Sequence, residues 1–252
     1  MNSELQGKFI LLWEKYFSNA ELPIAFFYGE SHHGSTIVPS KKGTHSCVIE
    51  EIQKVRQGYS LAFNEDSLAC GGAKRYLGYS DKMDKNFRFF LSCGIPGELE
   101  GERYKRNPEI VDEIQKDFVN LEKSDKFIIF KRWDKLTEED DPDAVIFFCT
   151  PDVMSGLFTL TNYDRVNPQQ AVAPFGSGCA TIINYPYLEQ QKDDPKCIIG
   201  MFDPSARPHI GRFELAYTIP MKRFEKVINY MDESFLITKT WDTIKKRIES
   251  KF

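Results

Sequence analysis

No apolar stretch in this chain approaches the ~20 residues a helix needs to cross a bilayer. The N-terminus, MNSELQGKFILLWEKYF, has neither the basic start nor the small-residue cleavage site of a secretory signal. A cytoplasmic protein without a membrane partner is expected. There is no excess of positive charge: 33 Lys and Arg stand against 37 Asp and Glu, and a net charge of −4 offers no general attraction for a phosphate backbone, so nucleic acid is not an expected partner. No C-x-x-C pair occurs among the six cysteines, which in a reducing compartment read as thiols or metal ligands ahead of disulfides. Neither a Walker A loop nor a dinucleotide fingerprint is present, so nothing supports a nucleotide. The acidic runs Thr137 to Asp143 and Lys192 to Asp194 lack the spacing of a calcium loop and read as solvated turns. Low-complexity tracts and a convincing linker are missing too, and a single domain over residues 1–252 is expected.

What is present can fill a core: 41% of the residues are hydrophobic and 13% aromatic. Many of the rings cluster, as at Phe26-Phe27-Tyr28, Phe87 to Phe90 and Phe147-Phe148; most suit a core, with some available to line a ligand pocket. Leu5, Phe9, Ile10, Leu12, Trp13, Tyr16 and Phe17 recur at mostly helical spacing, which predicts a packed helix over 3–17. Pro23 to Tyr28 is a short continuous apolar run stopped by Gly29, as expected of a strand covered on both faces. A helix from Cys47 to Gln57 follows, capped by Ser46 and ended by Gly58, then a shorter one over 71–77 with Gly78 as its left-handed stop. Asn107-Pro108 opens a third, to about residue 123, with Ile110, Ile114, Phe118 and Leu121 as its apolar stripe.

Further strands are expected at 126–131, 143–148, 197–202 and 213–219, with helix starts at Thr150-Pro151 and Pro220 and a C-terminal helix over about 240–251 packed on the domain. Strands alternating with helices predict an α/β protein, mixed α+β being the alternative, in one compact domain. Its two halves echo each other weakly. An apolar strand, a glycine- and serine-flanked cysteine opening a helix (Cys47, Cys179) and a further cysteine near glycine (Cys70, Cys197) recur in the same order but not in register.

The Pro23-Ile24-Ala25 strand, Cys47 at a helix start, Cys70-Gly71-Gly72-Ala73 with Leu77-Gly78, Pro142 to Ile146, Cys179 after glycines, Cys197, and Thr218-Ile219-Pro220 together resemble the domain of unknown function 169 family over about residues 20–235. The resemblance implies a one-domain extent and a cysteine pattern at Cys47, Cys70, Cys179 and Cys197, and no reaction. Arg207 follows Cys197 less tightly than the family's usual cysteine-to-arginine spacing, so no role is carried onto it from that pattern.

Cysteine sulfur at a helix N-terminus faces unpaired backbone N–H groups, which favour thiolate. One expectation is therefore that Cys47, Cys70, Cys179 and Cys197 converge on an iron-sulfur cluster or zinc, since four thiolates need no fixed spacing if the fold brings them together. The other is four ordinary buried cysteines. Cys93 and Cys149 read as structural. Gly71-Gly72, ahead of Lys74 and Arg75, and Gly176-Ser177-Gly178 are candidate anion cradles or simply tight turns, and Arg207 is a further candidate cofactor contact. His45, two residues before Cys47, and His32 are candidate bases; His33 is a metal or proton-shuttle candidate, and His209 with Arg207 and Arg212 forms a candidate cationic lip. Three functions stay open: a cysteine-lined protein that binds a cofactor, metal or small ligand, with a redox-related role as one form of it; an enzyme with a cysteine nucleophile; or a noncatalytic interaction module. Oligomeric state is not legible.

Overall fold

The computed structural model describes residues 1–40, 46–121 and 125–250. In chain order these form α1 (Ser3–Phe17), β1 (Ile24–Gly29), β2 (Thr36–Ile37), α2 (Val48–Arg56), β3 (Leu61–Phe63), α3 (Gly71–Tyr76), α4 (Phe87–Phe90), α5 (Pro108–Asp117), β4 (Phe127–Arg132) and β5 (Ala144–Cys149). Then come α6 (Pro151–Thr161), β6 (Ala171–Val172), a π-helical turn over Ala180–Asn184, α7 (Tyr185–Gln190), β7 (Cys197–Gly200), β8 (Leu215–Pro220), α8 (Met221–Tyr230) and α9 (Lys239–Glu249). The described strands make one mixed sheet in the order β2-β3-β4-β1-β5-β8-β7-β6. It is the core of a single compact mixed α/β domain.

That order is the same four-strand pattern written twice. In the first half β1 pairs antiparallel with β4, β4 antiparallel with β3, and β3 parallel with β2; in the second β5, β8, β7 and β6 repeat those relations. The register repeats as well. Ile24↔Arg132 through Gly29↔Phe127 is matched by Ala144↔Pro220 through Cys149↔Leu215, and Leu61↔Phe130 by Ile198↔Thr218. The halves join through the antiparallel β1–β5 pair, so a pseudo-twofold axis stands normal to the sheet. A parallel neighbour needs a crossover, and each half supplies a helical one: α2 between β2 and β3, the π-turn and α7 between β6 and β7.

Because side chains alternate along a strand, each one serves two cores. Ala25, Phe27, Ile129, Val145, Phe147, Tyr217 and Ile219 face a layer that includes α1, α6, α8 and α9. There Phe9 meets Trp133 and Phe224 edge-on at 5.3 and 5.0 Å, and Trp13 stacks on Phe17 at 4.3 Å. Ile24, Phe26, Ile128, Phe130, Ala144 and Ile146 face α2, α3 and the π-turn. Each fully buried large side chain contributes about 1.5–3 kcal/mol, and the sheet is covered on both faces as the unbroken apolar strands require.

Several sequence expectations are modified. Cys47, not Ser46, is the N-cap of α2. Gly58 and Gly78 do end their helices with φ of 101° and 83°. α5 stops at Asp117, and its buried residues are Pro108 and Val111, whereas Ile110 is exposed. The acidic turn is not wholly solvated: Asp140 is fully buried, bound to the buried Lys131 ammonium at 2.8 Å and to the Thr137 amide at 2.7 Å. A lysine pointing into a core needs a carboxylate, and among the described residues this turn supplies it. No described helix is long and apolar enough to cross a membrane.

Candidate functional site

The two crossovers begin side by side. Gly178, just before the π-turn, sits so close to its neighbours that an added Cβ would lie 2.7 Å from the Cβ of Ala206, 3.1 Å from the sulfur of Met201 and 3.5 Å from Cγ1 of Ile49 on α2. Glycine is therefore required there by packing. Cys47 heads α2, Cys179 heads the π-turn, and Cys70 heads α3, the next α-helix after β3. π-turns carry a register cost and concentrate at functional sites, and this one starts at a cysteine.

Above these helix starts lies a cavity of about 430 Å³, within the size range of small-molecule sites. Cys47, Cys70, Cys179, Gly71, Gly72 and Gly176 to Gly178 line its floor. The opposite wall comes from an excursion that only the first half possesses. β3 and β4 are joined by residues 64–126, while their counterparts β7 and β8 are joined by residues 201–214 alone. From the long excursion come Phe87, Phe90, Tyr104, Val111, Ile114 and Phe118, and the rim adds Phe175. The walls are thus mainly apolar and aromatic, with Lys105, Gln115, Asp203, Ser205 and His209 as interspersed polar groups.

Burial governs the thiols. It pushes Cys47 up despite the Ile49 and Glu50 amides that face its sulfur, and it pushes Cys179 up to about 12 although its sulfur shares a hydrogen bond with the Ser177 hydroxyl at 3.4 Å. The helix-end field expected to generate thiolates is outweighed by desolvation. The neighbouring Cys70 sulfur adds to the rise at both Cys47 and Cys179, and Cys47 adds to that at Cys179.

The structure does not bring Cys197 to this group. It lies at the start of β7 on the far face of the sheet, buried beside Tyr217 and Thr161, with its thiol pushed up to about 12. The four-thiolate convergence expected from the sequence therefore does not form: strand alternation turns this sulfur into the other core. Among the described residues no group of three or more His, Cys, Asp and Glu is arranged to hold a metal ion. The internal echo is likewise corrected in detail, since Cys47 and Cys179 are structural equivalents but Cys70 and Cys197 are not.

Other candidates disperse. The Gly178 amide is already taken by Asp203 at 3.2 Å, so that cradle holds a carboxylate of the protein itself. Gly71 and Gly72 line the cavity. Lys74 approaches Glu65, while Arg75 donates to Asn120 and stacks on Phe118. Arg207 braces its own loop through the carbonyls of Glu214 and Arg212. His32 contacts the Ser35 carbonyl and His33 the Asp140 carboxylate, both away from the cavity. His45 lies outside the described residues. Cys93 is exposed and Cys149 buried near Arg56 and Glu214. Lys105 and Gln115 had no sequence signal, because a lone polar residue in a charged stretch looks like any other.

The profile of the family described as DUF169, uncharacterised ArCR, matches residues 15–230. The chain belongs to this family. No curated protein and no solved structure matches it. The DUF169 match spans both topological halves, the excursion between β3 and β4, and every residue named above as lining the cavity, so the site lies wholly inside the family domain.

Proposed function

We propose that this DUF169 chain is a small-molecule-binding protein of a reducing compartment, whose ligand sits between the helix starts at Cys47, Cys70 and Cys179 and the aromatic wall of the excursion. The observation that carries the reading is the cavity: about 430 Å³, apolar and aromatic around a few convergent polar groups, at the meeting point of two equivalent crossovers. The Cys47 and Cys179 thiols act in it as soft, uncharged contact atoms, since burial keeps them protonated. The same fact weighs against a cysteine nucleophile at either position, which would need a lowered pKa.

Fluorescence titration with N-phenyl-1-naphthylamine, a neutral apolar probe, tests the proposal. Saturable one-to-one binding is expected, with slowed alkylation of Cys47 and Cys70 in the complex. Gly72→Leu should weaken it, because the nearest atoms to a Cβ there, on Cys70 and Tyr76, lie at ordinary contact distances of 3.6 and 3.7 Å, and the longer side chain takes ligand space. Absence of saturable binding together with unchanged alkylation rates would sink the reading.

A further inference from the structure

Resting on that reading, we propose that the ligand is an organic anion, a monocarboxylate with an apolar body, and that Lys105 is its charge partner. Two of the three acids lining the cavity already have donors: Asp84 accepts from the Asn86 amide at 2.7 Å, and Asp203 from the amides of Gly178 and Ser205 and the hydroxyl of Ser205. Asp84 and Glu102 are exposed at the rim, where water screens them.

Lys105 is in the opposite condition. It is half-buried, lines the cavity, and among the described residues no carboxylate comes within ion-pairing distance. Its ammonium lies 4.8 Å from the centre of the Phe175 ring, another cavity residue. The ring holds the cation in place without neutralising it. An ammonium partly withdrawn from water and held over an aromatic face is a preorganised receptor for a carboxylate, whose arrival supplies the missing charge.

Two further groups complete the polar description. The His209 side chain lines the cavity and makes no hydrogen bond among the described residues, which leaves a second donor for the anion. On the excursion wall the Gln115 amide oxygen is withdrawn from water and has no donor among the described residues. A buried acceptor of this kind asks for an O–H or N–H, so the apolar body is expected to carry one such group.

The test compares three probes of one shape: 2-naphthaleneacetate, 2-naphthaleneacetamide and 2-(2-naphthyl)ethylamine, titrated at low salt. Expected is binding of all three, with the carboxylate preferred over the amide about tenfold or more, in line with a charge-assisted contact. Lys105→Met should bring the carboxylate-to-amide affinity ratio to about one and Lys105→Arg should keep it near the parent value; a ratio that survives Lys105→Met overturns the assignment of Lys105. Equal affinity for carboxylate and amide in the parent protein, or preference for the amine, overturns the anion assignment and leaves the pocket reading standing. Failure of all three to bind overturns both.

Discussion

Replacing Gly178 by alanine tests the central geometric claim, that the two halves of the sheet deliver their crossovers to one point. The new methyl would sit 2.7 Å from the Ala206 Cβ and 3.1 Å from the Met201 sulfur, where ordinary carbon contacts begin near 3.4 Å. Neither neighbour is a flexible tip. Ala206 has only its Cβ and moves with its backbone, and Met201 is fully buried with a left-handed φ of 68°. The segment 201–206 must therefore shift by several tenths of an ångström, and with it Asp203, whose carboxylate binds the Gly178 amide. Overpacking of this kind costs about 1–3 kcal/mol, or about 3–10 °C in melting temperature for a chain of this length. The control is Gly71→Ala, where nothing among the described residues lies within 4 Å of the added Cβ and the residue is the first of a helix. It should be neutral or stabilising by up to about 1 kcal/mol. Urea denaturation and thermal scans of both variants decide the matter: Gly178→Ala melting within about 1 °C of the parent would refute the close approach.

Asp140→Asn leaves the Lys131 ammonium, 3% exposed, without its carboxylate; a loss of about 3–5 kcal/mol is expected in urea denaturation, and a near-neutral effect would contradict the buried pair. Arg223 beside Asp164 holds that carboxyl at about 2, below its unfolded value. This contribution is therefore complete above about pH 4 and lost as pH falls toward 2, so Asp164→Asn should flatten the decline of stability in that window, and an unchanged slope would show the pair to be idle. Cys179, held protonated up to about 12 and buried, should be alkylated far more slowly at pH 8 than exposed Cys93, as peptide mass spectrometry would show; comparable rates would mean that the sulfur is not enclosed.

Much of the local structure is legible along the chain. The stripe from Leu5 to Phe17, the apolar runs at 24–28, 127–131 and 144–148, the Asn107-Pro108 start and the glycine stops at Gly58 and Gly78 all act within a few residues, and the elements form where those signals lie. Strands β2, β3 and β6 escape notice because two or three residues carry no period. The helix-start positions of Cys47, Cys70 and Cys179 are legible too, but not the protonation of Cys47 and Cys179: dipole and capping effects are local, whereas desolvation depends on everything packed above the sulfur.

By itself, then, the sequence determined the fold class, the placing of most helices and strands, the family resemblance and the three cysteines at helix starts. Only the tertiary structure decided which of these meet. Strand pairing between β1 and β5 sets the pseudo-twofold that puts Cys47 near Cys179, and the alternation of side chains across β7 sends Cys197 to the other core. The long excursion between β3 and β4 brings Lys105, Gln115 and the aromatic wall over the cysteines. Those contacts join residues far apart in the chain, and no local pattern encodes them, because they arise from how two covered faces of one sheet are packed.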